Sequence, residues 1–198
     1  NVAWKIAAIL RGDSQISLMS SYDFERRPVA WLRHDQIFAR QDYKKYRDCQ
    51  PHHKQEIVAI IEDDALELGN LYVSNAVDSS ATQQLPRAAV PSFWRGRPGT
   101  RAPHVWLNDQ KDVSTLSLFC NEWTLLIVSI TDSSVLNFAP WKLVVVERDV
   151  VSESARQNIL QAFGIDHKEF ASLIRPDGYV AWRGSIREAR NAFLRISQ

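Results

Sequence analysis

Val2, Ile6, Ile9 and Leu10 recur at helical spacing, and Gly12 stands just past the last of them. That period predicts a helix over residues 2–11 with its apolar stripe turned to a partner, because so short a helix is marginal alone. Asn1 can cap its start, and Gly12 can end it in the left-handed conformation. A polar turn follows, and residues 16–27 read as a second helix. Pro28 cannot continue the hydrogen-bond ladder, so it either starts a new helix or kinks the old one. Residues 29–40 read as helix again, with Trp31, Leu32, Ile37 and Phe38 as candidate inner positions.

Residues 41–52 are polar and end at Pro51. Ile57, Val58, Ile61, Ala65 and Leu68 line one face of a helix expected over 53–68, closed by Gly69. Residues 71–77 alternate as a strand does, and 78–84 form a polar loop. Pro86, Pro91, Pro98 and Pro103, with Gly96 and Gly99, give the next stretch the composition of a linker. An α/β unit follows. Strands are expected at 105–107, 123–130 and 141–147, with a short helix over 114–119 between the first two. A helix is expected over 152–163, with Ser152 as N-cap and Gly164 as stop. Residues 170–175 and 179–182 pair as a hairpin around Pro176, Asp177 and Gly178, and Ser185 caps a last helix over 186–196. Only about ten residues separate the strands ending at Ile130 and beginning at Trp141, near the minimum for a parallel crossover.

Composition narrows the function little. Apolar residues make up 45% of the 198, ordinary for a globular chain. A net charge of +1 gives no electrostatic footprint for nucleic acid or an anionic membrane. The longest apolar runs, 125–128 and 143–146, are strand-length and far too short to span a bilayer. Cys49 and Cys120 read as two reduced thiols of a cytoplasmic protein, although a single disulfide is the other reading.

The candidate chemistry is mostly bland. There is no Cys-x-x-Cys, and Cys120 precedes an acid at Glu122, so redox exchange is not expected. Cys49, His52 and His53 lack the second ligand pair of a zinc site, so no metal is expected there. His34 and His167 stand alone and read as surface or helix-end residues. Glu62, Asp63, Asp64 and Glu67 read as a solvated helix face. Arg95, Arg97, Arg101 and His104 crowd one loop. They could bind an anion, but a solvated loop with Arg101 in a structural ion pair is the preferred reading. Glu25, Arg26 and Arg27 read as helix-terminus ion pairing. No residue is assigned a catalytic role.

Three blocks carry a resemblance. Residues 1–12 with 21–30, residues 99–107, and residues 174–184 are similar, in that order, to segments of the class A FAD-dependent aromatic hydroxylases, the phenol hydroxylase-like monooxygenases. The resemblance implies an α/β chain with a thioredoxin-like C-terminal domain, preceded by helices left from a flavin and substrate domain. On that basis residues 1–40 are the end of the FAD-binding domain, 41–95 a helix, strand and linker, and 96–198 a thioredoxin-like domain without redox cysteines. It further implies that the chain is the C-terminal part of a larger enzyme using FAD, NAD(P)H and O2 on a phenol-like aromatic substrate. Its partner would be the upstream flavin domain, and the thioredoxin-like unit would pack against it or make homo-oligomer contacts. The family's flavin-binding glycine motifs lie upstream of this stretch. Asn1 is the residue nearest the flavin loop and the single weak candidate for cofactor binding, with helix packing its preferred role. This chain alone is expected to bind no cofactor and to be inactive. The alternative is a non-catalytic thioredoxin-like interaction or oligomerisation module.

Overall fold

The computed structural model describes residues 1–40, 58–80, 84–119, 121–130 and 140–197. Helix α1 spans Val2–Arg11 and ends at Gly12, whose φ of 78° is the left-handed cap expected there. Helix α2 spans Leu18–Ala39 with Pro28 inside it, so Pro28 does not start a new helix. Phe24 and Pro28 both lie on the exposed side, which leaves the carbonyl that loses its donor facing solvent.

The buried sides of these helices are not the expected ones. In α1 Lys5 and Ala8 are buried, whereas Ile6 and Leu10 are 44% and 82% exposed. In α2 Leu18, Ser21, Glu25, Val29 and Gln36 face inward, while Phe24, Trp31 and Ile37 are exposed.

Of the helix expected over 53–68, residues 53–57 lie outside the described residues and only Asp63–Leu68 is helical, as α3. The buried amide of Gln36 explains the extended stretch before it. Its Nε2 donates to the Ala59 carbonyl at 2.8 Å, and its Oε1 accepts from the Ile61 N–H at 2.7 Å. These bonds satisfy the backbone groups that a helix would otherwise pair. Arg33 with Glu67 and Arg40 with Asp63 tie α2 to α3 at the surface.

Four strands form one sheet in the order β2-β1-β3-β4: β1 Thr124–Ile127, β2 Lys142–Val145, β3 Phe170–Ile174 and β4 Val180–Ser185. β1 runs parallel to β2 and antiparallel to β3, and β3 and β4 form a hairpin. This is the topology of a thioredoxin-like unit. Short helices α4 (Pro91–Trp94) and α5 (Thr115–Leu118) precede the sheet. α6 (Val146–Asp149) and α7 (Glu153–Phe163) follow β2. A 3-10 turn, Ile186–Glu188, runs into α8 (Ala189–Ile196), and Ser185 and Glu188 form a capping box there.

Every residue of β1 is buried, because helices cover both faces of the sheet. Leu125, Ile127, Ala171 and Leu173 pack under Ala189, Ala192, Phe193 and Ile196 of α8. Leu126, Val144, Ile174 and Val180 pack under Ala155, Ile159 and Phe163 of α7 on the other face.

Two expected strands are absent. Trp106 makes one bridge, to Ser114, and closes a loop; it does not join the sheet. Residues 71–77 run irregularly along the edge of the hairpin, where Leu71 and Tyr72 donate to the Arg87 and Gly99 carbonyls at 2.9 and 2.7 Å. Gly99 is the hinge of that edge. Its N–H donates to the Val180 carbonyl at 2.8 Å, its φ is 84°, and a Cβ there would lie 2.3 Å from the Tyr72 carbonyl oxygen. Alanine at Gly99 would add left-handed strain to a backbone collision. Gly99→Ala is expected to lower stability by about 2 kcal/mol or more in urea denaturation, and an unchanged midpoint would show that the 71–73 segment does not rest on Gly99.

Candidate functional site

Charges lie on the buried sides of α1 and α2. Asn1, Lys5 and Ala8 share one side of α1, and Ser21, Glu25 and Val29 share one side of α2. A charge in such a stripe must find a partner or it will not be buried. The partner comes from the turn between β3 and β4. There Pro176, Asp177 and Gly178 make a three-residue loop, with Gly178 in the left-handed region at φ 77°, which sets Arg175 and Asp177 side by side.

Glu25 is the centre. Its two oxygens accept from Arg175 Nη1 (2.6 Å) and Nη2 (3.0 Å), Lys5 Nζ (2.9 Å), Asn1 Nδ2 (2.7 Å) and Ser74 Oγ (2.7 Å). Arg175 also donates to Asp177 through Nε (3.0 Å) and Nη2 (2.6 Å). The side chains of Lys5, Glu25 and Arg175 are wholly buried. Two cations, Lys5 and Arg175, balance two carboxylates, so the cluster is neutral. The Arg175 guanidinium also lies 5.2 Å from the Trp4 ring centroid and 5.8 Å from those of Tyr72 and Tyr179, which stack on each other at 4.0 Å. Arg26 donates to the Tyr72 hydroxyl at 2.8 Å.

Burial alone would push the Glu25 carboxyl up. Arg175, Lys5 and Asn1 outweigh burial and hold it at about 2, below its ordinary 4.5. Burial pushes Lys5 down against the pull of Glu25, and Asp177 and Glu25 raise Arg175 despite burial. A carboxylate so acidic and so saturated with donors is a poor general base. The arrangement is a fastening that joins α1, α2, the 71–77 segment and the sheet. A cavity of about 350 Å³ lies beside it, walled by Trp4, Trp123, Pro176 and Phe193, with Arg11 and Glu122 at its polar side.

Sequence reasoning missed Lys5, Arg175 and Asp177; the usable signal was Glu25, which stands in one helical stripe with Leu18 and Val29. Glu25 does pair ionically, but in mid-helix and over long range, because α2 runs on through Pro28. Arg27 pairs locally with Asp23 at 2.8 Å. Arg101 lies 5.5 Å from the Tyr179 ring centroid and makes no ion pair among the described residues; the expected ion pair is replaced by a cation–π contact. His104 packs edge-on against Trp106. Cys49, His52, His53 and Cys120 lie outside the described residues. Among the described residues no group of three or more His, Cys, Asp or Glu could hold a metal, and no helix is long and apolar enough to cross a membrane.

The family described as aromatic-ring hydroxylase, C-terminal, matches residues 95–196. The chain is 33% identical to a 4-methyl-5-nitrocatechol 5-monooxygenase of a Burkholderia species, covering 92% of this chain and 35% of that protein. It is 30% identical to tetracenomycin A2 monooxygenase-dioxygenase of Streptomyces glaucescens, covering 99% of this chain and 36% of that protein. Its fold superposes on aklavinone-11 hydroxylase, solved with FAD and aklavinone, with a TM-score of 0.74, 28% identity, and coverage of 99% of this chain and 38% of that one.

The chain belongs to the aromatic-ring hydroxylase family. It spans about a third of the length of these relatives (35% and 36%). Asn1, Trp4, Lys5 and Glu25 of the first resembling block, and Arg175, Asp177 and Tyr179 of the last, meet in the buried cluster. The second block braces it, since Thr100 accepts from the Val180 N–H and Ala102 donates to the Gly178 carbonyl, both at 2.9 Å.

Asn1 tests the fit of these residues to a flavin. Both of its amide hydrogens are committed, to Glu25 at 2.7 Å and Asp177 at 3.0 Å. Its Oδ1, buried and without a hydrogen-bond partner among the described residues, is the one side-chain atom left for a ligand. A single acceptor does not make a cradle for a dinucleotide, which needs several donors at its phosphates. By itself Asn1 does not make a site for the cofactor.

The cluster sets an acid limit on the fold. Because the folded-state value of Glu25 is depressed, its stabilisation is complete above pH 4.5 and is lost as pH falls from there toward about 2. The loss amounts to roughly 3 kcal/mol. Glu25→Gln is expected to cost about 3–5 kcal/mol at pH 7, since it strands Lys5 and Arg175, and to flatten the decline of stability in that acid window. Urea denaturation at a series of pH values checks both; an equally steep acid decline in the variant would remove Glu25 from this role.

Proposed function

We propose that the chain is the C-terminal part of an FAD-dependent monooxygenase that hydroxylates a phenol-like aromatic substrate with NAD(P)H and O2. The observation that carries this reading is membership of the aromatic-ring hydroxylase family, with relatives named as monooxygenases and hydroxylases that extend well beyond the matched region. In that enzyme residues 1–40 are the last helices of the flavin domain, 41–95 a connection, and 96–198 a thioredoxin-like domain. The bound flavin supplies hydride acceptance and oxygen activation. This chain supplies the framework: the Glu25 cluster fixes α1 and α2 on the sheet, and Asn1 belongs to that fastening, with its Oδ1 alone facing any role toward the cofactor. The enzyme is placed in the cytoplasm.

The outward sides of α1 and α2 support the reading. Leu10 is 82% exposed, Phe24 63% and Trp31 57%, as on helices that pack on two sides. The alternative, a non-catalytic interaction or oligomerisation module, draws on the opposite observation, that α1 and α2 are already fastened to their own sheet. Limited proteolysis separates the two: rapid loss of the first forty residues would sink a self-contained module.

The decisive experiment compares this chain with the same chain joined to its natural upstream sequence. After incubation with FAD and desalting, this chain is expected to emerge colourless and the longer protein yellow. The longer protein is also expected to place one atom of labelled O2 into a phenolic substrate. Flavin retained by this chain alone would overturn the division of labour, and a longer protein with neither flavin nor label incorporation would overturn the monooxygenase reading.

A further inference from the structure

Arg95 and Arg183 meet where the loop after α4 reaches the end of α7, and Arg97 stands on the same loop. Arg95 follows α4 with φ 47°, in the left-handed region that costs a non-glycine residue roughly 1–2 kcal/mol. Its Nε lies against Gly164, the left-handed cap of α7, 3.3 Å from where a Cβ would stand. Arg183 of β4, half-buried, reaches the same place. Its Nη1 donates to the Arg95 carbonyl at 3.2 Å, its Nη2 to the Gly164 carbonyl at 3.3 Å, and its guanidinium lies 5.1 Å from the Phe170 ring centroid. Arg97 lies two residues beyond Arg95 on the same loop, and its side chain is exposed. Burial, then Arg97, then Arg95 push Arg183 below its ordinary value, and Asp166 alone opposes them.

Several other arginines are matched by acids: Arg33, Arg40, Arg148, Arg156 and Arg175 each ion-pair. Among the described residues Arg95, Arg97 and Arg183 do not. The acid nearest in effect, Asp166, is 87% exposed and turned to His167 at 3.7 Å. Three guanidiniums on a chain of net charge +1 form a local positive field that no ion pair among the described residues balances. Arg183 cannot relax away, because two carbonyls and a ring hold it.

We propose that Arg95, Arg97 and Arg183 form a binding site for a diphosphate group. The guanidinium fork matches phosphate oxygens in pairs, and a diphosphate carries enough charge to balance three cations where one carboxylate does not. The site stands whether or not the flavin reading holds.

Calorimetric titration of this chain at constant ionic strength tests it, with inorganic pyrophosphate, ADP and acetate as probes. Pyrophosphate is expected to bind with a dissociation constant below about 1 mM and acetate at least tenfold more weakly. The double variant Arg95→Gln, Arg97→Gln is expected to lose about tenfold or more of the pyrophosphate affinity. Both side chains are exposed, so the variant keeps its fold, which circular dichroism checks. ADP tighter than pyrophosphate assigns the site to a nucleotide, and equal affinity assigns it to free diphosphate; either outcome supports it. Pyrophosphate no tighter than acetate, or undiminished binding by the folded variant, overturns it.

Discussion

A carboxylate buried without access to water has to be answered by charge, and the answer to Glu25 comes from 150 residues away at Arg175. That single requirement reaches through the structure. Arg175 stands at the end of β3, so the hairpin must be in register to present it. Asp177 must sit beside it, which calls for the three-residue loop and the left-handed Gly178. Lys5 and Asn1 must come down on the same carboxylate, which fixes the rotation of α1. Ser74 must arrive from the 71–77 segment, which passes the sheet edge close to Gly99.

The thioredoxin-like unit provides the rigid end of this fastening. Its sheet is covered on both faces, by α7 and by α8, so β3 and the turn that follows it have little freedom. Topology of this kind carries no commitment to redox chemistry, which would live in a particular thiol and its neighbours. The chemistry visible in the described residues is electrostatic: one saturated anion at the centre and one unbalanced cation group at the end of α7.

What was legible in the sequence was local. α1 with its Gly12 stop, α7 between Ser152 and Gly164, and the hairpin around Asp177 and Gly178 follow from short-range periodicity and turn chemistry. The family resemblance was legible too, but not what its blocks do, since their meeting is a matter of contacts across 20 to 176 positions of sequence. The failures share a cause. Residues 71–77 alternate as a strand does but make only scattered backbone hydrogen bonds, residues 105–107 find one bridge, and residues 58–62 have helical spacing but are drawn straight by the side-chain amide of Gln36. In each case a tertiary partner outbids local preference, and periodicity carries no record of that partner.

The inward faces of α1 and α2 were misread for a more instructive reason. Both helices are inverted relative to an ordinary surface helix: Lys5 and Glu25 are inside, while Leu10 and Phe24 are outside. Hydrophobic burial alone would turn the Ile6 and Leu10 side of α1 to the sheet, so periodicity points to the wrong side. Replacing the ion cluster by apolar groups of equal volume could preserve stability, as is common for buried ion pairs, but it would remove the distinction between the two sides. Lys5 has one place in the molecule where its charge is answered, and α1 rotated to bury Leu10 instead would leave Glu25 and Arg175 short of a partner. The cluster therefore acts as a register device: it selects one orientation of α1 and α2 on the sheet and leaves Leu10, Phe24 and Trp31 facing outward.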